Sequence, residues 1–493
     1  MNQPFGTYLT LGIYFIGMLV IGWYAFRKST GDLEGYMLGG RGVGPFVTAL
    51  SAGAADMSGW MLMGLPGSVF VKGISGMWIV VGLSLGAYLN YVYVAPRLRI
   101  YTKIAQDAIT IPDFFENRFM DRSRLLKLIS AAVILIFFTF YTSSGMVSGG
   151  RFFESAFGMD YRFGLFLVTS IVIAYTLFGG YLAVSLTDSV QGLIMFAALV
   201  AIPSVAIYHL GGFKASFDIV NQLDPAHFNL FQGVQTAGIL SLLAWGLGYF
   251  GQPHILVRFM SITSARELKT ARRIGISWMV IGLLGASLIG LAGYAYVNVN
   301  LLELSDPETI FILFANILFN PYITGILLAA LLAAVMSTIS SQLLVTASAL
   351  TEDFYRTFLR RGASNRELVL IGRLSVLLIA VIALIMSYTP NDTILNLVGY
   401  AWAGFGSSFG PAVLLSLFWK RMTSWGAIAG IVSGAVGVIV WVALGLSDML
   451  YEMIPAFCAS LLAIVVVSLL TSAPQQQVLD EFDQARQELK ERA

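Results

Sequence analysis

The 493 residues are 57% hydrophobic and 11% charged, against about 25% charged in soluble domains, so a soluble enzyme or binding module is excluded and an all-α polytopic membrane protein is expected. A formal charge of +2 provides no basic surface for nucleic acid. One cysteine and three scattered histidines, His209, His227 and His254, give neither a disulfide framework nor metal-ligand spacing. The cysteine, Cys458, lies in an apolar run and is expected to be a small packing residue.

A membrane crossing needs about 20 apolar residues. Segments that qualify lie near 7–26, 46–70, 75–95, 127–148, 163–181, 187–209, 235–252, 274–297, 323–349, 367–387, 393–418, 426–444 and 453–471. The first lacks a basic leader region and is long enough to span, so it reads as a helix rather than a cleaved signal. The apolar stretch near 308–319 is too short to span and reads as an outer surface or re-entrant helix. With the N-terminus outside, all but four of the 29 Lys and Arg fall on inner segments or inner span ends, the exceptions being Lys72, Arg151, Arg162 and Lys214. Adding or dropping a span scrambles that bias. The expectation is therefore about 13 transmembrane helices, N-terminus out and C-terminus in. Residues 1–473 form a single membrane transport domain, and 474–493 a polar cytoplasmic tail with a short helix.

The second span carries Ser51-Ala-Gly-Ala-Ala-Asp-Met-Ser-Gly-Trp60. A carboxylate at mid-depth costs at least about 2.5–3.5 kcal/mol, and a continuous helix has no need of a Gly-rich centre. The combination predicts an interrupted helix whose freed carbonyls face a wet cavity. The seventh span reads Ala244-Trp-Gly-Leu-Gly-Tyr-Phe-Gly-Gln-Pro253 and is interrupted in the same manner. The two lie five spans apart, and an odd number inverts the second copy. This is the pattern of a five-plus-five inverted-repeat core with broken helices, repeats at about 46–209 and 235–418, and extra helices at 7–26, 426–444 and 453–471.

Sodium, a hard cation, takes oxygen ligands. The Ala54 and Met57 carbonyls offer two, with Asp56 as ligand or organiser; the plainer alternative pairs Asp56 structurally with a neighbouring helix. In the ninth span, Ala333-Ala-Val-Met-Ser-Thr-Ile-Ser-Ser-Gln342 places the Ser337 and Thr338 hydroxyls one turn after the Ala334 carbonyl, although such hydroxyls commonly bond back to their own helix. Trp60, Tyr141, Trp245 and Tyr249 supply aromatic surface for an apolar ring. Trp245 and Tyr249, four apart, are expected to share a helix face. Ser58 and a freed helix N-terminus suit a carboxylate. Packing is the alternative for each of these rings. Arg41, in Gly39-Gly-Arg-Gly-Val-Gly-Pro45, and Asp188, read as opening the sixth span, suggest an inner gate or mutual pair; a topology signal and a helix N-cap are the bland readings. No phosphate-binding loop, haem spacing or Ser/His/Asp set is visible. The chain is expected not to be an enzyme, and an ion gradient remains as the driving force.

The blocks 39–60, Trp245-Gly-Leu-Gly-Tyr-Phe-Gly-Gln-Pro-His254, 333–344 and Ala401-Trp-Ala-Gly-Phe-Gly406 together resemble the sodium:solute symporter family over nearly the whole chain, and Tyr141-Thr-Ser-Ser-Gly145 looks like its Gram-positive branch. The resemblance implies a multi-pass protein of the bacterial cytoplasmic membrane that takes up L-proline with sodium. It implies a sodium site from the Ala54, Met57 and Ala334 carbonyls and the Ser337 and Thr338 hydroxyls, with Asp56 essential for coupling. Ser58, Trp60, Tyr141, Trp245 and Tyr249 would line the proline site, while Arg41 and Asp188 would tune gating. Ser341 departs from relatives that carry a cysteine there. Expected partners are L-proline, sodium and the lipid bilayer, with no nucleic acid, organic cofactor or obligatory protein. Rival readings are a symporter for another small solute and a transporter-like sensor, the latter usually carrying a large output domain.

Overall fold

A computed structural model describes residues 4–28, 33–231, 233–389 and 392–492. Ten of its helices are long and apolar enough to cross a membrane, and shorter apolar helices occupy Tyr161–Leu177, Thr236–Gly251 and Pro307–Leu318. Among the described residues there is no strand longer than an isolated bridge between Val43 and Ile262. Helix starts follow familiar chemistry: prolines occupy first positions at Pro45, Pro253 and Pro321, while Ser364, Thr393 and Thr423 cap their helices through side-chain oxygens.

Both expected interruptions are present. One helix runs Pro45–Asp56 and stops at Met57 (φ −82°, ψ 77°). The chain resumes as a wide helical turn, Trp60–Gly64, followed by Leu65–Lys72. The seventh span runs Thr236–Ala244, tightens to a 3₁₀ turn over Trp245–Gly251, extends at Gln252 and restarts at Pro253–Ser261. Proline, lacking an N–H, cannot continue the preceding turn.

The two broken helices meet at one end through backbone. Val43 N–H donates to Ser261 O (3.3 Å), and Thr263 N–H donates to Val43 O (3.1 Å). The approach to that strap, Gly39-Gly40-Arg41, has φ of 66°, 61° and 51°, a left-handed path that the two glycines follow without strain and that Arg41 takes at a cost. Elsewhere the bundle closes by glycine contact, since lipid supplies no hydrophobic drive between helices. A Cβ on Gly86 would sit 2.1 Å from Gly246 O, so the third and seventh spans touch backbone to backbone.

Some expectations need correction. The sixth span begins at a break at Gly180 (φ 56°, ψ −151°), a conformation open essentially to glycine alone. Asp188 therefore lies about two turns inside the helix rather than at its N-cap. The 308–319 stretch forms the expected short helix, a turn over Pro307–Thr309 running into Ile310–Leu318, with Ile310 packed on Gly293 of the eighth span. Cys458 is exposed: the apolar run that holds it, Met453–Leu470, turns part of its surface outward, so the cysteine does not pack in the core. The tail is a helix, Gln476–Arg492, docked by Phe482 against Tyr101.

Candidate functional site

The end of Pro45–Asp56 faces the middle of the helix Pro321–Ser348. Ser337 Oγ donates to the Ala54 carbonyl at 2.7 Å and lies 3.1 Å from the Ala334 carbonyl. Thr338 Oγ1 is 3.1 Å from Ala334 O and 3.5 Å from Ala54 O. Ala54, Ala334, Ser337 and Thr338 are all buried completely. Four oxygens from two helices thus converge in the interior, and the back-bonding alternative holds as well, since both hydroxyls also reach their own preceding turn. Met57 is buried at the break itself, its N–H bonded to Gly53 O at 2.9 Å.

Asp56 points elsewhere. Its Oδ2 accepts a hydrogen bond from the Tyr249 hydroxyl, while its Oδ1 is buried without a partner. The carboxylate opens on a small cavity bordered by Asn90, Tyr91, Tyr249, Phe259 and Met279, with no residue of the ninth span in its wall. Asp56 therefore joins the second span to the seventh instead of entering the four-oxygen cluster. Asn90 holds that arrangement from behind by donating to Tyr249 O at 2.9 Å.

Three of the four aromatic candidates share one neighbourhood. The Trp60 and Trp245 rings lie 6.2 Å apart, and Trp60 Nε1 donates to Asp56 O at 3.2 Å. Trp245 and Tyr249 sit on a 3₁₀ turn, where positions four apart do not eclipse as on an α-helix. They are united instead by Trp402, whose ring is 6.3 Å from Trp245 and 5.2 Å from Tyr249, and whose Nε1 donates to Trp245 O at 2.8 Å. Tyr141 lies on the other flank, edge-on to His254 at 6.0 Å, with Ser58 beside it.

Arg41 and Asp188 do not meet. Arg41 donates to Ala108 O (2.8 Å) and Met260 O (3.1 Å), strapping the C-terminal end of the broken seventh span to a neighbouring loop. Asp188 is fully buried and pairs with Arg258 at 3.1 Å. Its Oδ2 also accepts from Ser51 (2.8 Å) and Ser341 (3.3 Å). Arg258, which the charge bias places at an inner span end, is 1% exposed and inside the bundle. A signal was available, since it follows Pro253 on an otherwise apolar half-helix. Trp402, Asn90 and His254 carried no individual role in the sequence, although Trp402 and His254 fall inside two of the distinctive blocks.

A model of the sodium:solute symporter family matches residues 36–434. The chain is 63% identical to the osmoregulated proline transporter OpuE of Bacillus subtilis (strain 168), covering 94% of this chain and 95% of that one. It is 56% identical to a sodium/proline symporter of Staphylococcus aureus (strain JH9), covering 99% and 97%. Among solved structures, a substrate-bound, outward-open sodium-coupled sialic acid symporter superposes with a TM-score of 0.81 at 21% identity, over 96% of this chain and 99% of that one. At that identity the likeness is one of fold.

Proposed function

The chain belongs to the sodium:solute symporter family, and from that premise we propose that it is a secondary active transporter coupling L-proline uptake to sodium entry across the cell membrane. It is a multi-pass membrane protein and a transporter, not an enzyme. The observation that carries the sodium reading is the convergence of Ala54 O, Ala334 O, Ser337 Oγ and Thr338 Oγ1 from two helices, one of them broken at that point.

In this reading sodium is cargo, held by those four oxygens and the Met57 carbonyl, and Asp56 transmits its presence. Proline lies among Ser58, Trp60, Tyr141, Trp245 and Tyr249, its ring against the aromatics. Arg41 and Asp188 act on gating from separate places. Residues 1–473 form one transport domain of 13 spans, N-terminus out and C-terminus in, with inverted repeats at about 46–209 and 235–418. No organic cofactor and no obligatory protein partner take part. Sodium favours an ordered second span and so raises proline affinity. The membrane potential adds about 2.3 kcal/mol per 100 mV for each charge moved inward.

Labelled L-proline uptake into proteoliposomes tests the proposal. Accumulation above equilibrium under an inward sodium gradient, absent under an equal potassium gradient, is the expected outcome. Equal, non-concentrative uptake in both would make the chain a facilitator. Absence of uptake in either would overturn proline as the solute.

A further inference from the structure

A second cavity, of about 230 Å³, lies against the tail helix, bordered by Arg97, Tyr101, Phe418, Phe482, Arg486 and Leu489. It is roomy beside the ~10–15 Å³ that admits a single water. Arg97 donates to Tyr93 O at 2.8 Å and lies 4.3 Å over the Phe418 ring. Arg486 is close enough for the two like charges to act on one another. Among the described residues no carboxylate pairs with either guanidinium. Of the tail acids, Asp483 is engaged by Lys420.

Two further groups at or behind the wall have unmet polar atoms, although Arg118 Nε donates to Ser416 O at 3.2 Å. Tyr101 is 2% exposed, and its hydroxyl makes no hydrogen bond. Arg118, fully buried, lies 5.1 Å from the Tyr101 ring and 5.2 Å from that of Phe482, with both terminal nitrogens unbonded. Glu481 of the tail acts on Arg118, but Arg97 and Arg486, like charges close together with no ion pair of their own, favour an anion between them. Guanidinium forks and a hydroxyl donor match the oxygens of a phosphoryl group. Phe418 is 44% exposed, so one wall is apolar and open, as an acyl chain requires.

We propose that this cavity binds a phosphoryl anion, and that its occupant is the phosphate of an anionic phospholipid of the adjoining leaflet. The tail helix is thereby fastened to the bundle through lipid as well as through Phe482. Basic residues at an anionic surface act additively, so losing two arginines should weaken binding roughly 10- to 30-fold.

The test uses the full-length protein in neutral detergent, titrated with short-chain phosphatidylglycerol, short-chain phosphatidylcholine or inorganic phosphate, reading the thermal unfolding midpoint. Phosphatidylglycerol is expected to raise the midpoint, phosphatidylcholine not, with the dose shifted 10- to 30-fold in R97Q/R486Q. Arg486→Gln alone changes an exposed residue and serves where the double variant is unstable; its smaller shift in the same direction is expected. A rise with inorganic phosphate alone, equal to that with phosphatidylglycerol, would keep the phosphoryl site and overturn the lipid as occupant. Equal effects of the two lipids, or an unchanged dose in both variants, would overturn the site. None of these readouts involves proline or sodium, so they stand or fall apart from the transport proposal.

Discussion

At the scale of single residues, two buried carboxylates divide the interior. Asp56 has one oxygen bonded to Tyr249 and the other free, an arrangement that suits a group whose partner comes and goes. Asp56→Asn removes the charge at nearly constant volume, and proline uptake should lose its sodium dependence; wild-type dependence would make Asp56 structural. Tyr249→Phe removes the one hydrogen bond to that carboxylate. Bonds to charged groups contribute about 1.5–3 kcal/mol, so the sodium concentration for half-maximal uptake should rise about tenfold or more. Asp188 is different, held by Arg258, Ser51 and Ser341 together. Arg258→Gln strands a buried charge and should destabilise the protein by about 3–5 kcal/mol. Adding Asp188→Asn should recover part of that loss, measurable as a thermal midpoint higher than that of R258Q; a strictly additive double variant would show that the two do not interact.

At the scale of elements, the bundle depends on how closely backbones approach. The third and seventh spans meet at Gly86 and Gly246 with no space for a Cβ. Overpacking of this kind costs about 1–3 kcal/mol. Gly86→Ala should lower the thermal midpoint, whereas Gly17→Ala, with nothing within 4 Å of its Cβ, should not; equal midpoints would mean that the spans are not in contact. The sequence disclosed the breaks because a carboxylate, glycines and a proline mid-span each conflict with a continuous membrane helix. It also disclosed the oxygens at Ala54, Ala334, Ser337 and Thr338, since hydroxyls one turn beyond a carbonyl lie on one face. It did not disclose partners. Periodicity says nothing about which helix stands opposite, so the Asp188–Arg258 pair and the role of Trp402 became visible only in three dimensions. The start of the sixth span, expected near 187, lies instead at Gly180, because a single residue of positive φ makes the break and apolar periodicity does not register it.

At the scale of the whole molecule, the proposed coupling would rest on the two broken helices acting together. They are joined by the Val43–Ile262 bridge at one end and by Asp56–Tyr249 at mid-depth. A change imposed on one is therefore carried to the other. Linkage requires that proline raise sodium affinity by the factor with which sodium raises proline affinity. Paired binding titrations of the detergent-solubilised protein should return one factor, typically 5- to 150-fold. A sodium affinity indifferent to proline would sink the coupling.

The cluster of Trp60, Trp245 and Trp402 has a consequence of another kind. Indole rings about 6 Å apart are near enough to share ultraviolet excitation, and three of the chain's nine tryptophans sit there. Light absorbed anywhere in that stack reports on whatever enters among the rings. On the proposed reading, proline entering among those rings would shift the emission of the unlabelled chain, and emission indifferent to proline would place the solute elsewhere.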